Sequence, residues 1–194
     1  MKNKSIIIVP GEQHSVFFEI FFKSLKSNKF KDPLILISSM KILKTHMKRN
    51  NFKRIIRSVN LNNLENTVLN NKMINLLDIN HVDLGPNKQK NQSNNNLKKS
   101  FEIAFKILNS GLSYKLINGP INKSNFLDRK HLGITEFISK KFKIKKFAML
   151  IYNKDLSVCP LTTHLPLKLV AKNVNQKKIK EKNILINDFY LKNI

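Results

Sequence analysis

Ile6-Ile7-Ile8-Val9-Pro10-Gly11-Glu12 decides the fold class of this chain. Four successive β-branched residues with no polar alternation predict a strand covered on both faces. Pro10-Gly11-Glu12 then turns the chain. Residues 16–25 follow as a helix, with Val16, Phe17, Ile20, Phe21 and Leu25 at helical spacing. Residues 33–37 predict a second buried strand. Ser38-Ser39 can cap a helix that runs to about Arg49, and residues 53–59 form a weaker third strand. Strand alternating with helix predicts an α/β fold, a parallel sheet with helices on both faces and right-handed crossovers.

Composition narrows the class. The chain has 194 residues, 41% of them hydrophobic, enough for a core. The formal net charge of +24 suggests a nucleic-acid or anionic-membrane partner. The distribution of charge argues otherwise. Lys, Asn and Ile enrich loops and helices alike, as a bias toward AT-rich codons would. Lys far outnumbers Arg and Trp is absent, whereas a phosphate-binding face concentrates Arg and aromatics. The single Cys159 forbids a disulfide framework, reads as a buried thiol in an apolar strand and suits a reducing cytoplasm. No apolar run is long enough to span a bilayer, and residues 5–9 are too short for a signal-peptide core.

Further along, residues 60–96 are rich in Asn, Lys, Gln and Ser. Only residues 73–79 look like a strand there, and residues 86–96 look like a mobile loop. Residues 97–108 predict an amphipathic helix stopped by Ser110-Gly111. Residues 114–117 predict a strand, and Pro120 opens a helix at its favoured first position. Another helix is expected over 135–142. Residues 146–152 and 156–161 are expected to pair as a hairpin across Asn153-Lys154-Asp155. Residues 176–193 read as a last helix whose apolar positions need a partner surface.

Four stretches carry candidate chemistry. Gly11 could let the backbone approach a ligand at a helix head, although a plain turn explains it more simply and no second glycine completes a dinucleotide fingerprint. Asn118-Gly119-Pro120-Ile121-Asn122-Lys123 offers backbone N–H groups and an ammonium to an anion, or a solvated lysine. Thr135, in Gly133-Ile134-Thr135-Glu136-Phe137, is a helix cap or a ligand contact. His164, in Thr162-Thr163-His164-Leu165-Pro166-Leu167, stands at the predicted end of a buried strand, where α/β sheets bind ligands. His14, His46, His81 and His131 have no spacing that completes a metal site with it.

Taken in order, Val9-Pro10-Gly11-Glu12, the Asn118–Lys123 and Gly133–Phe137 stretches and the His164 hexapeptide resemble the 4-hydroxythreonine-4-phosphate dehydrogenase family of vitamin B6 biosynthesis. The resemblance implies an isopropylmalate dehydrogenase-like α/β/α architecture, incomplete at the C-terminus. Residues 1–125 would be the first α/β domain. Residues 126–194 would begin the second, cleft-forming domain, truncated. The implied activity is NAD- or NADP-dependent oxidation of 4-phosphooxy-L-threonine, followed by decarboxylation to 3-amino-2-oxopropyl phosphate. The implied enzyme is a cytoplasmic homodimer holding a divalent cation (zinc, magnesium or cobalt) on three histidines. Carried onto this chain, His164 matches a metal ligand and Thr135 a substrate-contacting threonine. Lys123 is a further candidate for the substrate. Ile134 replaces a substrate-contacting histidine, Asn122 stands where histidine is frequent, and Gln13-His14-Ser15-Val16-Phe17 departs from the family's loop. The other two metal histidines and the phosphate-holding basic residues have no counterpart in the 194 residues, so the chain alone is expected to be inactive. The competing expectations are a non-catalytic relative that binds a phosphorylated ligand or protein partner, and a basic nucleic-acid-binding protein.

Overall fold

The structure, a computed structural model, describes residues 5–81, 92–122, 126 and 133–193. The chain divides into two compact units, Met1–Asn122 and Lys123–Ile194.

The first unit is a five-stranded sheet. Its strands are β1 (Ile6–Val9), β2 (Leu34–Ser38), β3 (Ile56–Ser58), β4 (Ile74–Asp78) and β5 (Lys115–Asn118), in the order β3-β4-β2-β1-β5. Every pairing is parallel. Parallel strands need crossovers, and α1 (Phe17–Ser27), α2 (Met40–Arg49) and α3 (Gln92–Asn109) stand between them in sequence.

Side-chain alternation then sorts the core. Ile8, Leu34, Leu36, Ile74 and Leu76 point to one face, where they meet Phe17, Phe18, Phe21, Phe22 and Leu25 of α1 and Leu43 of α2. Ile7, Val9, Ile35, Ile37 and Leu77 alternate with them and are equally buried. The helix α3 packs on β1 and β2 with Phe101, Ala104 and Phe105 buried. The predicted covering of β1 on both faces therefore holds. Helix α2 closes without glycine. Asn51 takes a left-handed φ of 45°, and the Phe52 N–H returns to the Met47 carbonyl at 2.9 Å. This turn delivers Phe52 to stack on Phe22 at 4.4 Å.

Several expectations need correction. Ser39 stands at the N-cap of α2 but makes no side-chain cap. Its hydroxyl instead accepts from Asn80 Nδ2 at 3.1 Å, tying the carboxyl ends of β2 and β4. Helix α3 begins at Gln92, inside the stretch expected to be a mobile loop. The rest of that loop, through residue 91, lies outside the described residues. Residues 119–122 are not helical, so Pro120 does not open a helix there.

The second unit contains α4 (Ile134–Lys141), α5 (Leu167–Asn173) and α6 (Gln176–Asn193). The predicted hairpin over 146–161 reduces to one antiparallel bridge, Ile151 to Val158, with hydrogen bonds of 2.8 and 2.9 Å. Its turn is held by side chains. Asn153 Oδ1 accepts from the Asp155 N–H, and the Ser157 hydroxyl donates to the Asn153 carbonyl. Leu156 and Val158 are exposed, so no buried strand leads to His164. Cys159 is half-buried and lies outside any strand. Among the described residues, no helix is long and apolar enough to cross a membrane.

Candidate functional site

In an open parallel sheet the ligand crevice lies beyond the carboxyl ends of the strands, where the strand order reverses. Here β2 and β4 lie to one side of β1 and β5 lies to the other, so the reversal falls between β1 and β5. The two loops that leave these strands are Pro10-Gly11-Glu12 and Gly119-Pro120.

These loops fill the crevice with each other. The Gly119 N–H donates to the Val9 carbonyl at 2.8 Å, and the Glu12 N–H donates to the Pro120 carbonyl at 2.8 Å. The Asn122 N–H donates to the Glu12 carboxylate at 3.2 Å. Gly11 has a φ of 81°, a region L side chains rarely adopt, and a Cβ there would collide with the Pro120 carbonyl. A Cβ on Gly119 would collide with the Pro10 carbonyl and stand 2.7 Å from Phe17 Cδ2. Gly11 thus permits close approach of a neighbouring strand's loop, not of a ligand. Beside this seam, a cavity of about 30 Å³ lined by Gly11, Gln13, Ser38, Ser39 and Ser100 is large enough for little more than one water. Among the described residues, the loops after β1 and β5 close on each other at the reversal point. A larger cavity of about 870 Å³, lined by Ser5, Lys31, Pro33, Leu64, Ile107 and Gly111, opens at the amino ends of β1 and β2. That is the end opposite the usual ligand site.

His46 belongs to this framework. It is buried, stacks on Phe18 at 4.3 Å, and lies 2.9 Å through Nε2 from the Gln13 carbonyl. A carbonyl only accepts, so Nε2 carries the proton. Burial pushes this imidazole below its ordinary 6.5, and the bond to Gln13 opposes that shift. A neutral His46 therefore anchors the loop between β1 and α1.

The other candidates lie in the second unit. Gly133 is the N-cap of α4 in extended backbone, and Ile134, Thr135 and Glu136 form the first turn. Thr135 is consequently inside the helix and does not cap it. Glu136, acidic in the first turn, suits the positive end of the helix. His164 is exposed and holds a left-handed φ of 57°, uncommon for a residue with a Cβ. That conformation accompanies an imidazole beside Gly133. A Cβ on Gly133 would stand 3.5 Å from His164 Nε2 and 2.8 Å from Glu136 Oε2. The fold therefore brings the His164 imidazole beside Gly133, at the start of the Gly133–Phe137 stretch. Glu136 is the member that sequence reading passed over, because an acid in a first turn is explained by the helix alone. Lys123 lies outside the described residues.

Two donors are not a closed metal site. Among the described residues, no three His, Cys, Asp or Glu side chains gather to hold a metal ion. A catalytic set of about three protein ligands is therefore not formed by them.

Known proteins resemble this chain along most of its length. A family model described as pyridoxal phosphate biosynthetic protein PdxA matches residues 29–193. The 4-hydroxythreonine-4-phosphate dehydrogenase of Aquifex aeolicus is 38% identical over 85 residues, 42% of this chain and 26% of that protein. The protein of the same name from Sulfurihydrogenibium is 35% identical over 74 residues, 37% of this chain and 23% of its own length. The solved 4-hydroxythreonine-4-phosphate dehydrogenase of Klebsiella pneumoniae superposes with a TM-score of 0.73 at 20% identity, over 97% of this chain and 58% of that one. The Burkholderia phymatum enzyme of that name gives 0.77 at 18% identity, over 97% and 58%. At such identity these two structures show the fold, and this chain spans little more than half of each. The family model matches well over half of the residues, and the chain belongs to the pyridoxal phosphate biosynthetic protein PdxA family.

Proposed function

We propose that this chain carries part of an NAD- or NADP-dependent dehydrogenase that acts on 4-phosphooxy-L-threonine in pyridoxal 5′-phosphate synthesis. The observation that supports it best is the family match over residues 29–193, which includes both the Gly133–Phe137 stretch and His164. In the reaction, the C3–H hydride passes to the nicotinamide and the C3 hydroxyl loses its proton. The resulting 2-amino-3-oxo acid is a β-keto acid and releases its carboxylate as carbon dioxide, leaving 3-amino-2-oxopropyl phosphate.

Thr135 supplies a hydroxyl to the substrate from the first turn of α4. Ile134, beside it, supplies no hydrogen bond where the family resemblance expects one. The nicotinamide cofactor binds away from the β1–β5 reversal point, because Gly11 and Gly119 occupy it. No step is assigned to a metal, because the described residues do not complete a set of ligands. The domain boundary near residue 125, the homodimer and the cytoplasmic location are parts of the same proposal.

Because the described residues complete no ligand set, the 194 residues alone are expected not to turn the substrate over. The test adds 4-phosphooxy-L-threonine, NAD or NADP, and zinc, magnesium or cobalt to the purified chain. Substrate-dependent NADH or NADPH formation would overturn the inactivity. Absence of any amide shift at Thr135 and His164 on adding substrate would overturn the substrate assignment.

A second reading, a non-catalytic relative that binds a protein partner, is favoured by one observation. In the second unit Leu156, Leu167 and Leu191 are 73%, 88% and 78% exposed. Such apolar exposure is what a partner surface covers.

A further inference from the structure

We propose that residues 140–152 form a contact surface for an anionic phospholipid membrane. Their lysines meet the lipid headgroups, and the exposed apolar side chains between and after them enter the interfacial layer. The inference stands apart from the dehydrogenase reading and uses none of its site residues.

Three observations carry it. The first is density. Lys140-Lys141-Phe142-Lys143-Ile144-Lys145-Lys146 holds five lysines in seven residues, and no Asp or Glu occurs from Phe137 to Lys154. Lys and Arg together number 36 in 194 residues, so the general lysine bias of the chain does not account for this run. All five lysines are exposed, and none of their side chains enters a hydrogen bond or ion pair among the described residues.

The second is geometry. Lys140 and Lys141 suit the negative end of α4. Lys143, Lys145 and Lys146 lie beyond the helix, where its dipole gives no reason for them. Backbone bonds fix this turn. The Lys143 N–H donates to the Lys140 carbonyl at 3.1 Å and the Ile144 N–H to the Ser139 carbonyl at 2.8 Å, with Lys143 at a left-handed φ of 54°. At the far end of the run, the Lys182 ammonium of α6 donates to the Phe147 carbonyl at 2.6 Å and lies 5.5 Å from the centre of the Phe147 ring. A sixth cation thus joins the five, and their mutual repulsion is relieved by an anionic counterpart.

The third observation selects the counterpart. Ile144, Met149, Ile151 and Tyr152 are exposed within or just after the lysine run. Lysine point charges beside aliphatic groups and a tyrosine match a lipid interface, with its anionic headgroups above and its acyl boundary below. A nucleic-acid surface draws on Arg forks and open aromatic faces. The run has no Arg, and Phe142 and Phe147 are half-buried.

The test is co-sedimentation of the whole 194-residue chain with vesicles of phosphatidylcholine, alone or mixed with phosphatidylglycerol. Binding is expected to the mixed vesicles only, and to fall as salt is raised. The triple variant Lys143→Gln, Lys145→Gln, Lys146→Gln is expected to bind roughly a hundredfold more weakly, at about fivefold per lysine. The control Lys41→Gln, Lys44→Gln, Lys48→Gln removes the same charge from exposed positions of α2. It is expected to stay within about threefold of wild type, because lysines outside the contact are screened. Ile144→Gln, with every charge intact, is expected to weaken binding about fivefold to tenfold. Far-UV circular dichroism shows whether each variant keeps its helices. No binding to the mixed vesicles, or equal losses in the two triple variants, would overturn the proposal. So would binding of a single-stranded RNA that depends on Lys143, Lys145 and Lys146 while the vesicles stay unbound, which would assign the run to nucleic acid.

Discussion

The two units treat their apolar residues in opposite ways. In the first, Phe18, Leu36, Leu43, Leu76 and Leu77 are at most 1% exposed, and both faces of the sheet are covered. In the second, Phe126 is the one buried apolar side chain among the described residues, while Leu167, Ile184 and Phe189 are 88%, 52% and 43% exposed. Burial of large side chains is the main favourable term in folding. The difference teaches that the sheet unit is held by its own core, whereas the unit bearing Thr135, Glu136 and His164 is held mainly by helix bonds, local turns and a few ring contacts. Phe126 on Phe137 at 5.3 Å and Tyr152 near Tyr190 at 6.3 Å are examples. The candidate site residues lie in the less consolidated unit, as is common for segments that must adapt to a ligand.

The same substitution should have very different costs in the two units. Leu76→Ala, at a position with no exposure, is expected to cost about 3–5 kcal/mol in urea unfolding. Leu167→Ala is expected to stay within about 0.5 kcal/mol. Equal costs would mean that both units are packed alike. Gly119→Ala comes next. Its Cβ would meet backbone at Pro10 and the Phe17 ring, and overpacking of this kind costs about 1–3 kcal/mol. Amide hydrogen exchange sharpens the contrast without mutation. Amides of β1, β2 and β4 should be the last to exchange, and those of α5 and α6 should exchange well before them.

A smaller effect concerns pH. His46 is pushed below 6.5 by burial, so the unfolded chain takes up its proton first as pH falls. Stability from a neutral His46 is complete above its unfolded value and declines as pH drops through 6.5 toward the lowered folded value. His46→Gln should flatten that decline in thermal unfolding followed from neutral to mildly acid pH. The smallest effect belongs to Glu19. Lys23, hydrogen-bonded at 2.7 Å, lowers its carboxyl on an exposed helix surface. That contribution is present above the unfolded carboxyl value and fades as pH falls through the lowered one, and Glu19→Gln should barely move the unfolding midpoint.

Much of the sheet was legible in the chain. Ile6–Val9 and Leu34–Ser38 are continuous apolar runs between turn residues, and a buried parallel strand has few other sequence forms. The hairpin expected over 146–161 failed for a related reason. Short apolar runs such as the one ending at Leu161 look alike whether buried or exposed, and only tertiary cover distinguishes them. Gln92–Asn96 hid the start of α3 because those residues carry no apolar period. The seam between Gly11 and Gly119 was invisible as a pair. Each glycine is a local turn signal, but Glu12 and Asn122, which the seam joins, are 110 positions apart. At the candidate site, Thr135 and His164 were singled out through motif resemblance, whereas the nearness of Glu136 and His164 to Gly133 became visible only in the folded turn.

On the proposed reading, ligand chemistry belongs to the turn around Gly133 and His164 and not to the reversal point of the sheet, where Gly11 and Gly119 meet. The most direct measurement is an amide and imidazole NMR titration of the whole chain with 4-phosphooxy-L-threonine and zinc. Shifts confined to Gly133, Thr135, Glu136 and His164 are expected, with Gly11, Glu12 and Gly119 unmoved. Shifts centred on Gly11 and Gly119, with His164 silent, would contradict it.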